Sequence, residues 1–99
     1  MKFALFAKLE AKPGKEREVA ALLETGLKLA GEEKGTPVWF ALRLGPTTFG
    51  IFDAFFDEAG RTRHLEGPIA AALMAQAPHL LSQAPAIEPI EVLGSKVSA

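Results

Sequence analysis

Two side chains in this sequence are of the right type, and close enough along the chain, to do proton chemistry: Asp53 and His64. Asp53 stands in the middle of the run FGIFDAFF, with Phe49, Ile51 and Phe55 at its own parity. A carboxylate among apolar neighbours either finds a partner or resists ionisation, and one that resists ionisation suits a general base. The alternative is a structural carboxylate, paired with an arginine such as Arg43 or Arg61 or set where the sheet edge meets water. His64 follows Arg61-Thr62-Arg63 and precedes the apolar Leu65. It is the mid-chain group that titrates near neutrality, and is either a pocket residue or an idle residue on a helix surface. Trp39 and the 7 phenylalanines either line a pocket for a flat aromatic ligand or fill the core. Arg43 can stabilise an anion only where its strand turns it inward.

The remaining inventory excludes more than it offers. Cysteine, tyrosine and asparagine are absent, so disulfides, thiolate metal sites and cysteine nucleophiles are excluded together. No serine lies in a Gly-x-Ser-x-Gly turn, and neither a G-x-G-x-x-G run nor a phosphate loop occurs. His64 and His79 lack further ligands at helical spacing, so neither a metal nor a nucleotide cofactor is expected. A net charge of −1 and an isoelectric point near 6.1 speak against nucleic acid. The longest apolar run, residues 69–75, is far below the roughly 20 residues a membrane span needs. The first apolar stretch is broken by Lys8 and Glu10, too early for a signal-peptide core, so the cytoplasm is the expected location.

The elements that must position these residues follow from periodicity. The 99 residues predict one domain, residues 1–99, of 48% hydrophobic composition. Residues 3–11 read as a strand covered on both faces, ended by Pro13-Gly14. Residues 15–34 carry Val19, Leu22, Leu23, Gly26, Leu27 and Ala30 in one helical stripe, with Gly35 as the expected cap and Pro37 beyond it. Glu32, Glu33 and Lys34 read as the solvated end of that helix. Residues 38–44 and 49–56 read as a hairpin whose register the loop leaves open. A second helix opens at residue 57, is interrupted or bent at Gly67-Pro68 and is expected to stop at Pro78, with His79-Leu80-Leu81 available for a last turn. Residues 87–93 form the last strand, and Pro89 assigns it to an edge or a bulge.

The order β-α-β-β-α-β is the ferredoxin-like plan, an α+β fold in which two helices cover one face of an antiparallel sheet. Strands one to three are nevertheless apolar at both parities, as in Leu5 and Phe6, Trp39 and Phe40, and Ile51 and Phe52. An aromatic face left to water would be an unusually large patch, so a homodimer packed through that second sheet face is expected.

The stretches KLEAKPGKEREVAALL, EEKGTPVWF and IFDAFFDEAGRTRHLEGP resemble the antibiotic biosynthesis monooxygenase domains, and the resemblance spans nearly the whole chain. It implies a small dimeric α+β barrel with a cleft between sheet and helices. The family pattern has an acidic residue, then a tryptophan, then a histidine. Here Asp53, Phe55 and His64 take those places, and Trp39 falls where the family carries an aromatic on the second strand. Phe55 departs by lacking the indole N–H, and the absent asparagine and tyrosine depart from the haem-degrading and polycyclic-phenol-oxidising members. The implied function is a cofactor-independent monooxygenase acting on a small aromatic phenol or hydroquinone. Asp53 or His64 would be the base, Trp39 and Phe55 would contact the ring, and Arg43 would be a conditional anion stabiliser. The alternative is a non-oxidative, isomerase-like or purely ligand-binding dimer on the same barrel.

Overall fold

The computed structural model describes residues 1–97 and orders them as β1 (Phe3–Glu10), α1 (Glu16–Glu32), β2 (Val38–Arg43), β3 (Thr48–Phe55), α2 (Glu58–Leu65), α3 (Pro68–Leu80) and β4 (Ala86–Glu91). The strands form one antiparallel sheet in the order β2-β3-β1-β4. This is the expected α+β, ferredoxin-like arrangement. Among the described residues no helix is long and apolar enough to cross a membrane.

Local sequence explains the elements. Gly14 has φ +84, a left-handed conformation that glycine adopts without Cβ strain, and it turns β1 into α1. Glu16 and Glu18 lie in the first turn of α1, where the helix dipole favours acid. Val19, Leu23, Gly26 and Ala30 then make one buried stripe. Asp57 caps α2 by accepting from the Gly60 N–H at 2.7 Å.

Two boundary expectations are corrected and one is met. The cap of α1 is Glu33, in extended conformation, and not Gly35, because the chain leaves the helix before it reaches the glycine. The second helical segment is interrupted at Glu66-Gly67, as the Gly67-Pro68 pair implies, and forms two helices, with Pro68 opening α3 at a position where its missing N–H costs nothing. Pro78 lies inside the last turn of α3 and does not end it. The stripe Ile69, Leu73 and Ala77 continues into Leu80 and Leu81 on the core, and the Leu81 N–H bonds the Ala77 carbonyl at 2.9 Å. Pro89 sits on β4, an edge strand as expected.

The register assigns the two faces. Arg43 pairs with Phe49 and Trp39 with Asp53 across β2 and β3, while Leu5 pairs with Asp53 across β1 and β3. Leu5, Ala7, Leu9, Phe49, Ile51, Asp53 and Phe55 therefore share the face beneath the helices, and all are buried. The opposite face carries Phe6, Phe40, Leu42, Phe52 and Ile90. Phe40 remains 55% exposed there and stacks on Phe52 at 6.4 Å between centroids. The chain thus presents an aromatic sheet surface that its own helices leave uncovered.

Candidate functional site: a histidine clamped between two carboxylates

Four elements meet at His64. The last turn of α2 carries it, where a helix C-terminus favours a cation. From β3, Asp53 places Oδ2 at 2.9 Å from His64 Nε2. From the end of α1, Glu33 places Oε2 at 2.9 Å from Nδ1. In the connection to β2, the Thr36 hydroxyl donates to Glu33 Oε2 at 2.9 Å and lies 3.3 Å from Nδ1. The Phe55 ring packs against the imidazole at 5.2 Å between centroids. Asp53 is 2% exposed and His64 7%.

The geometry constrains the protons. A ring with a carboxylate oxygen at hydrogen-bond distance from each nitrogen donates from both when it is an imidazolium. Burial is the strongest influence on His64 and by itself would lower its pKa. The hydrogen bonds to Asp53 and then Glu33, joined by the charges of both, outweigh it and hold the pKa above the ordinary histidine value. The raised value favours the imidazolium, the form that donates to both carboxylates. Asp53 Oδ1 is buried and has no hydrogen-bond partner, and Trp39 Nε1, at the paired position on β2, is likewise buried and unpartnered.

Space lies on both sides of the imidazole. On the inner side, a cavity of about 30 Å³ is lined by Asp53, His64 and apolar side chains including Leu5, Ile51, Leu65, Ile69, Leu73 and Ile87. A second void of about 20 Å³ beside Trp39 and Gly26 shares Ile51, Ile69 and Leu73 with the first. On the outer side, an open crevice of about 170 Å³ is lined by Glu33, Lys34, Thr36, Arg63 and His64. A larger opening, about 390 Å³, lies elsewhere, between the end of α3 and Pro85.

The sequence-derived residues fall into place unevenly. Asp53 and His64 meet directly, and Phe55 and Trp39 flank them. The partner of Asp53 is His64 and not an arginine: Arg61 donates to the Ala4 carbonyl at 3.3 Å and lies over the Phe3 ring. Arg43 is not brought to the pair. Its guanidinium sits over Phe49 at 4.6 Å and donates to the Pro46 carbonyl at 3.2 Å. Glu33 and Thr36 were missed by the sequence reading. The signal was an acidic C-terminal end of α1 with no basic residue in its last turn, contrary to the helix dipole. Among the described residues no cluster of side chains suits a metal ion.

No family model matches the chain, and neither does any curated protein. Among solved structures, a protein of unknown function from Nitrosomonas europaea is 59% identical, with 99% of this chain and 95% of that one covered and a TM-score of 0.94. A second Nitrosomonas europaea protein, named as a candidate antibiotic biosynthesis monooxygenase, is 13% identical over 93% of this chain and 99% of that one, with a TM-score of 0.82. A protein of the same description from Caulobacter crescentus is 21% identical over 94% and 91%, with a TM-score of 0.77. The chain belongs to one family with the 59%-identical Nitrosomonas europaea protein, and its fold is that of the antibiotic biosynthesis monooxygenases.

Proposed function

We propose that this protein is a cofactor-independent monooxygenase that oxidises a small phenol or hydroquinone in the cleft between the sheet and helices α2 and α3. The observation that carries the reading is Asp53 Oδ1, a buried carboxylate oxygen without a partner on a residue that lines an apolar cavity. Its sister oxygen is held by His64, so Oδ1 is the atom free to accept a proton. A substrate hydroxyl donates to it, the O–H bond breaks, and the phenolate develops beside the imidazolium. The unpartnered Trp39 N–H is a donor suited to the same oxygen. The electron-rich ring then reduces dioxygen. One oxygen atom becomes the new quinone carbonyl, and the other leaves as water with the hydroxyl proton held by Asp53 and the hydrogen displaced from the oxidised ring carbon, so no outside reductant is required.

An aromatic ring needs on the order of 150 Å³, judged from engineered cavities that bind benzene. The cavity of about 30 Å³ must therefore widen, and Ile69 and Leu73 on α3 are the side chains to displace. The same proposal has a second copy of the chain covering Phe6, Phe40, Leu42 and Phe52, which makes the protein a homodimeric barrel at work in the cytoplasm.

The test is oxygen uptake across a panel of hydroquinones and polycyclic phenols, without added flavin, metal or haem. Uptake above autoxidation is expected, with roughly a 100-fold loss in Asp53→Asn. Wild-type turnover in a folded Asp53→Asn variant rejects the role of the carboxylate. A non-oxidative reading draws on one feature, a base whose partner can return the proton. It is favoured by ligand C–H exchange with solvent deuterium under anaerobic conditions.

A further inference from the structure

The imidazole of His64 separates two compartments. Asp53 lines only the inner apolar cavity, Glu33 and Thr36 line only the outer crevice, and His64 lines both. Asp53 is 2% exposed, whereas the Glu33 side chain is 20% exposed. A buried acid-base pair of this kind needs a route by which its charge state is reset, because any product that leaves as an anion strands a proton on it. The inner cavity is apolar apart from the pair itself and provides no such route.

We propose that Glu33, with Thr36, is the proton port of the Asp53–His64 pair, passing protons between His64 Nδ1 and water in the outer crevice. The Nδ1–H bond breaks as an O–H bond forms on Glu33 Oε2, and Glu33 then releases that proton to crevice water. The ring is left neutral, with its remaining proton on Nε2 toward Asp53. Thr36 makes both states tolerable. While the ring is an imidazolium, its hydroxyl donates to Glu33 Oε2 at 2.9 Å; once Nδ1 is bare, the same hydroxyl, 3.3 Å away, can donate to the ring. The charged groups around the ring are Asp53 from β3 and Glu33 from the end of α1, with Lys34 and Arg63 also lining the crevice. Glu33 does not line the inner cavity, so it is a positioning and relay residue that acts through His64.

The port rests on the proton-handling role given to Asp53 and His64, yet its test needs neither substrate nor oxygen. The measurement is the exchange rate of the His64 Nδ1 proton with water, read by nitrogen-15 NMR in wild type and Glu33→Gln. Glutamine keeps the size of the side chain and cannot take up the proton, so exchange slows, by roughly 100-fold on the usual scale of acid-base assistance. A Glu33 that merely ties α1 to α2 gives the opposite sign, because a loosened clamp lets water in and exchange quickens. Unchanged or faster exchange in Glu33→Gln overturns the proposal. Should that variant not fold, the wild-type proton is compared with the Phe55 amide in the central sheet. Exchange of Nδ1–H far ahead of that amide supports a local port, and exchange at the same rate, which signals global opening, overturns it. Failure of oxygen uptake with a working port would reject the oxygenase reading alone.

Discussion

Removing the imidazole tests whether the buried Asp53–His64–Glu33 clamp exists in solution. Asp53, 2% exposed in the wild type, loses its one hydrogen-bond partner in His64→Ala. Breaking a buried pair by deleting one member costs about 3–5 kcal/mol, because the surviving charge is left uncompensated. Against a typical total of roughly 5–15 kcal/mol, the variant should fold marginally. The assay is urea denaturation at fixed protein concentration, since self-association would add to apparent stability. The double variant His64→Ala/Asp53→Asn should be more stable than His64→Ala alone, because the orphaned charge is gone. The pH dependence has a definite sign. His64 has a folded pKa above its unfolded value of about 6.5, so its contribution is complete below about pH 6.5 and fades as pH rises through the folded value. A loss under about 1 kcal/mol, the size of an exposed ion pair, would refute the buried clamp. So would a wild-type advantage that grows with pH.

Two further perturbations probe the surroundings. Phe40→Lys places a charge on the uncovered sheet face, where Phe40 is 55% exposed against Phe52, and should convert a dimer to monomers by light scattering. A monomeric wild type, or a variant that stays dimeric, rejects pairing through that face. In Gly67→Ala, the new Cβ would lie 3.3 Å from both Glu33 Oε1 and the Arg63 carbonyl, so the carboxylate must give way. The expected result is a His64 pKa that drops toward the ordinary value, measured by NMR titration, with a stability loss of about 1 kcal/mol from overpacking.

The order of elements was legible because each has its own period and its own stop. Val19, Leu23, Gly26 and Ala30 repeat as a helix does, and Pro13-Gly14 and Gly45-Pro46 punctuate the strands. The dual-face apolarity of β1 to β3 was also readable, since period-two alternation breaks down at Leu5-Phe6 and Ile51-Phe52. Within the candidate site, Asp53 and His64 stood out by type. Their contact did not, because it depends on how the capped turn at Asp57 aims α2 back over β3. Glu33 was hidden for another reason. Charge runs at helix ends are usually solvated, and its partner lies 31 residues away. Arg43 illustrates the converse, a residue on the correct face whose guanidinium is held by Phe49 and the Pro46 carbonyl.

Opening the cavity and keeping the clamp are competing demands, and the break in the second helical segment reconciles them. The cavity wall draws Leu65 from α2 but Ile69, Ala70 and Leu73 from α3. The clamp draws nothing from α3: its members lie on α2, on β3 and at the end of α1 with the loop that follows. Had residues 58–80 formed one continuous helix, any shift that made room for a ring would have pulled His64 away from Asp53. The division at Glu66-Gly67 allows α3 to yield while the last turn of α2 stays fixed. Gly67 has no side chain to resist that motion, and Pro68 removes one N–H from the first turn of α3, so few bonds cross the junction. The volume deficit of the inner cavity is thus a property of α3, and the proton chemistry proposed above belongs to α2 and the sheet. A ligand can enlarge the first without dismantling the second.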